Sequence, residues 1–190
     1  MISSRRKWLL RCTLAVIGAF VTVFLFRFVY SGPTIRPVPA DPAEGWRIQF
    51  GRGSGWHGLD TVKIASDGSV ILHRLRETTT EYQWEATSLT LPPDALAKVF
   101  ASIEENHLLD MERKYQANIA DGTQWIFWFR QEETTKSVYF NNKFPRAIEQ
   151  FAEDLDRVLA ENGLASAVWS SVPDRVRQHE RELWDSIKRD

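Results

Sequence analysis

Apolar positions along this chain fall into three patterns: one unbroken run near the N-terminus, two blocks of alternation, and a helical stripe after each block. In the first block, 46–50 (Trp-Arg-Ile-Gln-Phe) alternates as a half-buried strand does. A glycine-rich loop is expected over 51–58. Val62 and Ile64 then share one face of a strand, Asp67-Gly68 supplies a hairpin turn, and 69–76 returns as the partner strand. Tyr82, Trp84 and Ala86 mark a further strand over 81–91. Pro92-Pro93-Asp94 opens a helix, where a missing proline N–H costs nothing, and Leu96, Val99, Phe100 and Ile103 form its buried stripe.

The second block repeats this plan. Residues 125–129 (Trp-Ile-Phe-Trp-Phe) are apolar throughout, which predicts a central strand covered on both faces, or on one face with an aromatic patch on the other. The chain turns over 131–134, and 136–140 pairs back with Val138 and Phe140 inward. Pro145 starts a helix whose stripe is Ile148, Phe151, Ala152, Leu155, Val158 and Leu159, ended by Asn162-Gly163. The order predicts an α+β domain over 45–163. Its antiparallel sheet is built from two hairpin-plus-helix halves, with two helices packed on one face. Over 164–190 a linker leads to a charged helix starting at Pro173-Asp174. Its thin stripe of Val176, Leu183 and Ile187 predicts a mostly exposed element, open to a protein partner.

The N-terminal run decides the compartment. The uncharged stretch 12–26 spans 15 residues, roughly 22 Å of helix against a hydrocarbon core of about 30 Å. Extending it to 8–30 gives about 34 Å, enough to span with some tilt. Trp8, Arg11, Arg27 and Tyr30 then fall at the two interfaces, where aromatic rings and long cationic stems are favoured. Arg5, Arg6 and Lys7 in the tail over 1–7, with Arg11, keep the N-terminus cytoplasmic and place the rest outside the cytoplasm. The expectation is therefore a single-pass cell (inner or plasma) membrane protein with a signal anchor. A cleaved signal peptide is the competing reading; the small residues around Val38-Pro39-Ala40 lie about ten residues beyond the run and are crowded by proline, which favours the anchor. Pro33, Pro37, Pro39 and Pro42 make 31–44 an extended stalk.

The net charge of −1 conceals an asymmetry. Residues 1–36 carry six bases and no acid, so the remainder has 18 bases against 25 acids, a net of −7. Such a surface repels phosphate backbones and argues against a nucleic-acid partner. The only cysteine, Cys12, lies in the apolar run, so packing and not disulfides must hold an exported domain.

Candidate chemistry is sparse. Gly53-Ser-Gly-Trp-His-Gly58 matches G-x-G-x-x-G, but the phosphate-cradling version needs a helix behind the last glycine, and 61–65 reads as a strand. The segment is better read as a hairpin connection presenting Trp56 and His57. His57, Asp60 and Ser54 would supply an acid–base pair and a nucleophile for a tethered hydrolase using the 51–60 loop, although triads assemble across a fold and not within one turn. Asp121-Gly122 is explained by turn chemistry. His57, His73, His107 and His179 have no metal-ligand spacing, and no catalytic residue, metal or cofactor is indicated. Of the tryptophans past the membrane run, Trp56 and Trp128 are the expected exposed ones. Trp56, His57, Asp60 and Trp128 are thus the candidate binding residues.

The succession of glycine-rich loop, x-V-x-I-x-x-D-G-x-V hairpin, helix and second hairpin-plus-helix resembles a family of uncharacterised, often exported bacterial domains. It is carried here by Val62, Ile64, Asp67, Gly68, Val70 and Pro145, over about 46–160. The resemblance implies the same two-helix α+β fold and no assigned activity. Many members carry a cysteine pair in the early loop; this chain has none there. The favoured expectation is a membrane-anchored, extracytoplasmic binding or structural module without catalysis, with a small tethered hydrolase or a membrane-complex subunit as alternatives.

Overall fold

A computed structural model describes residues 45–54, 56–77, 81–119, 122–173 and 178–188. The expected membrane helix over 8–30, its interface residues Trp8, Arg11, Arg27 and Tyr30, the stalk over 31–44, Asp121 and Val176 lie outside the described residues. Among the described residues no helix is long and apolar enough to cross a membrane.

The alternating blocks become strands of one sheet. Strands β1 (Trp46–Ser54), β2 (Gly58–Ala65), β3 (Ser69–Glu77) and β4 (Tyr82–Thr90) form an antiparallel meander, followed by helix α1 (Pro93–Glu105). Then come β5 (Lys114–Gln116), β6 (Thr123–Gln131), β7 (Thr134–Asn141) and helix α2 (Arg146–Glu161). A two-residue strand β8 (Ser170–Ser171) and helix α3 (Gln178–Lys188) follow. The strand order is β5-β7-β6-β1-β2-β3-β4-β8, with β1 and β6 joining the two halves at the centre. The sheet is mixed, not purely antiparallel, because β5 runs parallel to β7. Both β5 and β8 are too short to leave an alternation in the sequence.

One face carries α1 and α2, as the helical stripes require. Trp46 packs edge-on against Phe100 of α1 at 4.3 Å, and Phe50 and Phe127 both meet Phe151 of α2 at 5.5 Å. Phe50 and Phe127 are also direct cross-strand partners. Six residues of α2, spaced as its stripe predicts, are buried. The helix ends at Gly163, whose φ of 101° only glycine adopts without strain.

The opposite face overturns the expectation for the C-terminal helix. There α3 packs across the sheet, and Leu183 (0% exposed) closes a core cluster with Leu59, Ile126 and Trp128, flanked by Tyr139, Trp184 and Ile187. A helix that was to be mostly exposed is docked, making three helices on two faces. The cause is a stripe that includes polar residues. His179 and Glu180 are 4% and 2% exposed and occupy the same side of α3 as Leu183. The strand 125–129 is accordingly covered on both faces: Phe127 and Phe129 face α1 and α2, while Ile126 and Trp128 lie beneath α3.

The chain changes faces at the sheet edge. After α2, Thr87 Oγ1 donates to Val168 O at 2.8 Å and the Trp169 ring receives the Arg74 guanidinium at 3.9 Å. Then β8 pairs with β4, and Val172 N donates to Trp84 O at 2.9 Å.

Candidate functional site

The glycine-rich segment is mostly strand, not loop: β1 runs through Gly53 and pairs with β2 up to Ser54 opposite Gly58. Trp56 and His57 remain at the hairpin tip. Trp56 is 74% exposed there, as expected. The His57 ring stacks on Tyr82 at 4.9 Å and 28°, and Tyr82 is itself 54% exposed. The backbone N–H of His57 donates to Ser54 Oγ at 3.2 Å.

Asp60 is not part of this tip. It faces the α1/α2 side, where Oδ1 accepts from Leu75 N at 2.7 Å. Crowding by surrounding atoms raises its carboxyl above the usual range even though its side chain reaches the surface; the Leu75 N–H, Arg52, Arg74 and His179 oppose that shift. With His57 against Tyr82 and Asp60 against Leu75, Ser54, His57 and Asp60 form no hydrogen-bonded relay. The hydrolase constellation weighed from the sequence is not assembled. Across the strand pair, Arg52 forms a bidentate ion pair with Asp156 of α2 at 2.6 and 2.7 Å.

Trp128, expected to be exposed, is 5% exposed. Its strand is central, and α3 covers the face toward which it points. Its remaining accessible edge lines a groove of 790 Å³ between the β6–β7 end of the sheet and α3. Ser137, the direct cross-strand partner of Trp128, also lines the groove, with Arg113, Arg130 and Lys136 as cations and Ser186 from α3. Acids contribute as well: Glu132 and Glu133 from the β6–β7 turn, and Glu182 from α3. Glu182 is already engaged, accepting from Gln49 Nε2 and lying 3.5 Å from Lys63 Nζ. Trp128 and the Trp56–His57 tip thus belong to different places, and the four candidate binding residues do not form one site.

Sequence reading missed a buried polar cluster under α3. The His179 and His73 rings stack at 4.5 Å and 13°, and Trp84 lies 4.4 Å from His179. His179 Nε2 is 3.2 Å from Leu59 O, while Glu180 Oε2 accepts from Leu59 N at 3.0 Å and Trp184 Nε1 at 2.9 Å. Two side chains of α3 therefore occupy both backbone groups of Leu59. Burial, reinforced by His179 and Lys63, lowers the pKa of His73 from 6.5 to about 4. A signal was present: His179, Glu180, Leu183, Trp184 and Ile187 follow one helical face, visible once polar residues are allowed on it.

Residues 60–159, more than half of the chain, match the family model described as Domain of unknown function (DUF6438). No curated protein matches the chain.

Proposed function

The chain belongs to the DUF6438 family of domains of unknown function, and from that premise we propose that it is a membrane-tethered, extracytoplasmic binding module without catalysis. Its ligand seat is the groove beside Trp128. The observation that carries this reading is the groove itself. Its 790 Å³ falls in the range of small-molecule sites, and it combines an aromatic edge, serine hydroxyls and several charged groups. The tether rests on the basic tail, the apolar run and the proline-rich stalk of the sequence. A protein partner at the C-terminal helix would meet its outward charged side, since Leu183 and Trp184 are used against the sheet.

Two measurements test this. The indole N–H resonance of Trp128, assigned with Trp128→Phe, is expected to shift with fragments that enter the groove. A fragment screen that perturbs only the Trp56 tip removes the groove as the seat. A C-terminal tag in intact spheroplasts is expected to be trimmed by external protease while the remainder stays in the membrane fraction; a protected tag places the domain in the cytoplasm.

A further inference from the structure

Part of the sheet face that carries α3 stays open. Alternation turns Arg47 and Gln49 of β1 toward that face, opposite Ala65 and Lys63 of β2, and Ile71 of β3 pairs with Lys63. Glu182 reaches from α3 onto Gln49 and Lys63. Beside these contacts, where Ala65 offers only a methyl group, lies a cavity of 340 Å³. We infer that this cavity is a seat for a free α-amino acid with an apolar side chain. It is separate from the groove at Trp128, although Glu182 lines both.

Gln49 is the residue that points to a ligand. It is 2% exposed, and it lines this cavity but neither the groove nor a smaller cavity of 320 Å³ that shares Arg113 and Ser137 with the groove. Its Nε2 donates to Glu182 Oε2, which fixes the orientation of the amide, because a carboxylate accepts and offers nothing to an amide oxygen. Gln49 Oε1 is thereby left buried without a donor. An acceptor so enclosed gains from an N–H, and a ligand ammonium brings three.

The charged groups decide the rest of the ligand. Arg47 and Lys63 are matched by Asp67 and Glu182, so a purely anionic or purely cationic molecule meets like charge on entering. Asp67 is engaged in its own turn, accepting from Ser69 N at 2.9 Å. Lys63 Nζ lies 3.5 Å from Glu182 Oε2, the same oxygen that takes the Gln49 amide, and this leaves Glu182 Oε1 to a ligand. Opposite charges this close are met by an ammonium and a carboxylate on one carbon, not by charges at the two ends of a chain. Lys63 and Arg47 then face the carboxylate, and Glu182 and Gln49 Oε1 the ammonium. Ile71, 46% exposed on the same face, gives the ligand side chain an apolar contact. The volume lies at the small end of the range for ligand sites, which suits a molecule of this size.

The test is calorimetric titration of the full chain in detergent, with the Gln49 side-chain amide resonances reporting place. L-leucine is the probe. Leucinamide lacks its negative charge and N-acetyl-leucine its positive one. ε-Aminocaproate is an isomer with the charges at opposite ends, and glycine lacks the side chain. Leucine is expected to bind and to shift the Gln49 amide while the Trp128 indole stays unmoved. Each of the other four should bind at least about tenfold more weakly. Gln49→Met and Lys63→Gln should each weaken leucine by about tenfold with an unchanged thermal midpoint. Ile71→Thr should bring leucine to the level of glycine without altering glycine. Leucinamide or N-acetyl-leucine binding as tightly as leucine would overturn the zwitterion seat, and ε-aminocaproate doing so would overturn the α-amino acid. Leucine that moves the Trp128 indole and not the Gln49 amide would overturn this cavity as the place. No leucine binding, with fragments still shifting Trp128, would overturn the amino-acid seat and leave the groove standing.

Discussion

Gly51 and Gly53 are two positions apart in one strand, yet they exclude a side chain for different reasons. A Cβ on Gly51 would come within 2.8 Å of Leu183 Cδ1 and 3.0 Å of Leu59 Cδ1, the ends of side chains that can shift at some cost. On Gly53 it would meet the backbone oxygen of Gly58 at 2.2 Å, which cannot yield without opening the hairpin. Gly53→Ala is therefore expected to destabilise the domain by roughly 1–3 kcal/mol more than Gly51→Ala in denaturant unfolding, with equal losses counting against this account. Gly51→Ala should act instead through α3, loosening Leu183. Gly53, which suggests a phosphate loop when its motif is read alone, is thus explained by close strand approach, and Gly51 by a neighbouring helix.

Helix α3 is the element whose behaviour the structure changes most. An exposed helix would tolerate Leu183→Ala within about 0.5 kcal/mol. With Leu183 fully buried among Leu59, Ile126 and Trp128, the same change should cost about 2–5 kcal/mol, read from thermal or denaturant melts. The docking is also expected to depend on pH. His73 is faced by His179 from α3 and by Lys63 and Thr61 from β2, with Asp60 close enough to act on His179, while Glu180 is turned to Leu59 N and Trp184 Nε1. Burial, His179 and Lys63 lower the pKa of His73 from 6.5 to about 4, so a form that returns the ring to solvent binds the proton more tightly. The stability conferred by neutral His73 is complete above pH 6.5 and declines as pH falls toward 4. Hydrogen exchange of the α3 amides should accelerate over that interval, and His73→Phe should flatten the dependence. A wild-type profile with no change between pH 7 and 4 would show that the stacked pair does not govern docking.

At the scale of the whole molecule, the sheet is enclosed by a chain that packs two helices on one face and then crosses an edge to place a third on the other. β8 secures that crossing by pairing with β4, and nearby Arg74 and Arg76 hold the Glu85 carboxyl below its usual range. Ending the chain after Pro173 would uncover Leu59, Ile126 and Trp128 and remove Glu182 and Ser186 from the groove. Such a truncation should bind a hydrophobic dye, self-associate, and lose the fragment-induced shift of the Trp128 resonance. A monomeric truncation whose Trp128 resonance still shifts with fragments would show that α3 is dispensable to the site.

The sequence by itself determined the local elements. Alternation over 46–50 and 61–76, the Asp67-Gly68 turn, Pro93 and Pro145 at the starts of α1 and α2, and the stripe of α2 all report backbone conformation and burial through neighbours a few residues apart, and each agrees with the fold. It also pointed to Trp56 as an exposed side chain, because a residue at a hairpin tip has little around it. The tertiary structure alone decided what meets what across long separations. The burial of Trp128 depends on a helix more than fifty residues later, and the pairing of His73 with His179 spans most of the domain. Likewise Ser137, an ordinary strand serine in the sequence, comes to line two cavities only because β5, β6 and α3 converge around it. The physical reason is range: strand and helix patterns are set by contacts within a few residues, whereas a site is set by side chains that only the packed sheet brings within reach of one another.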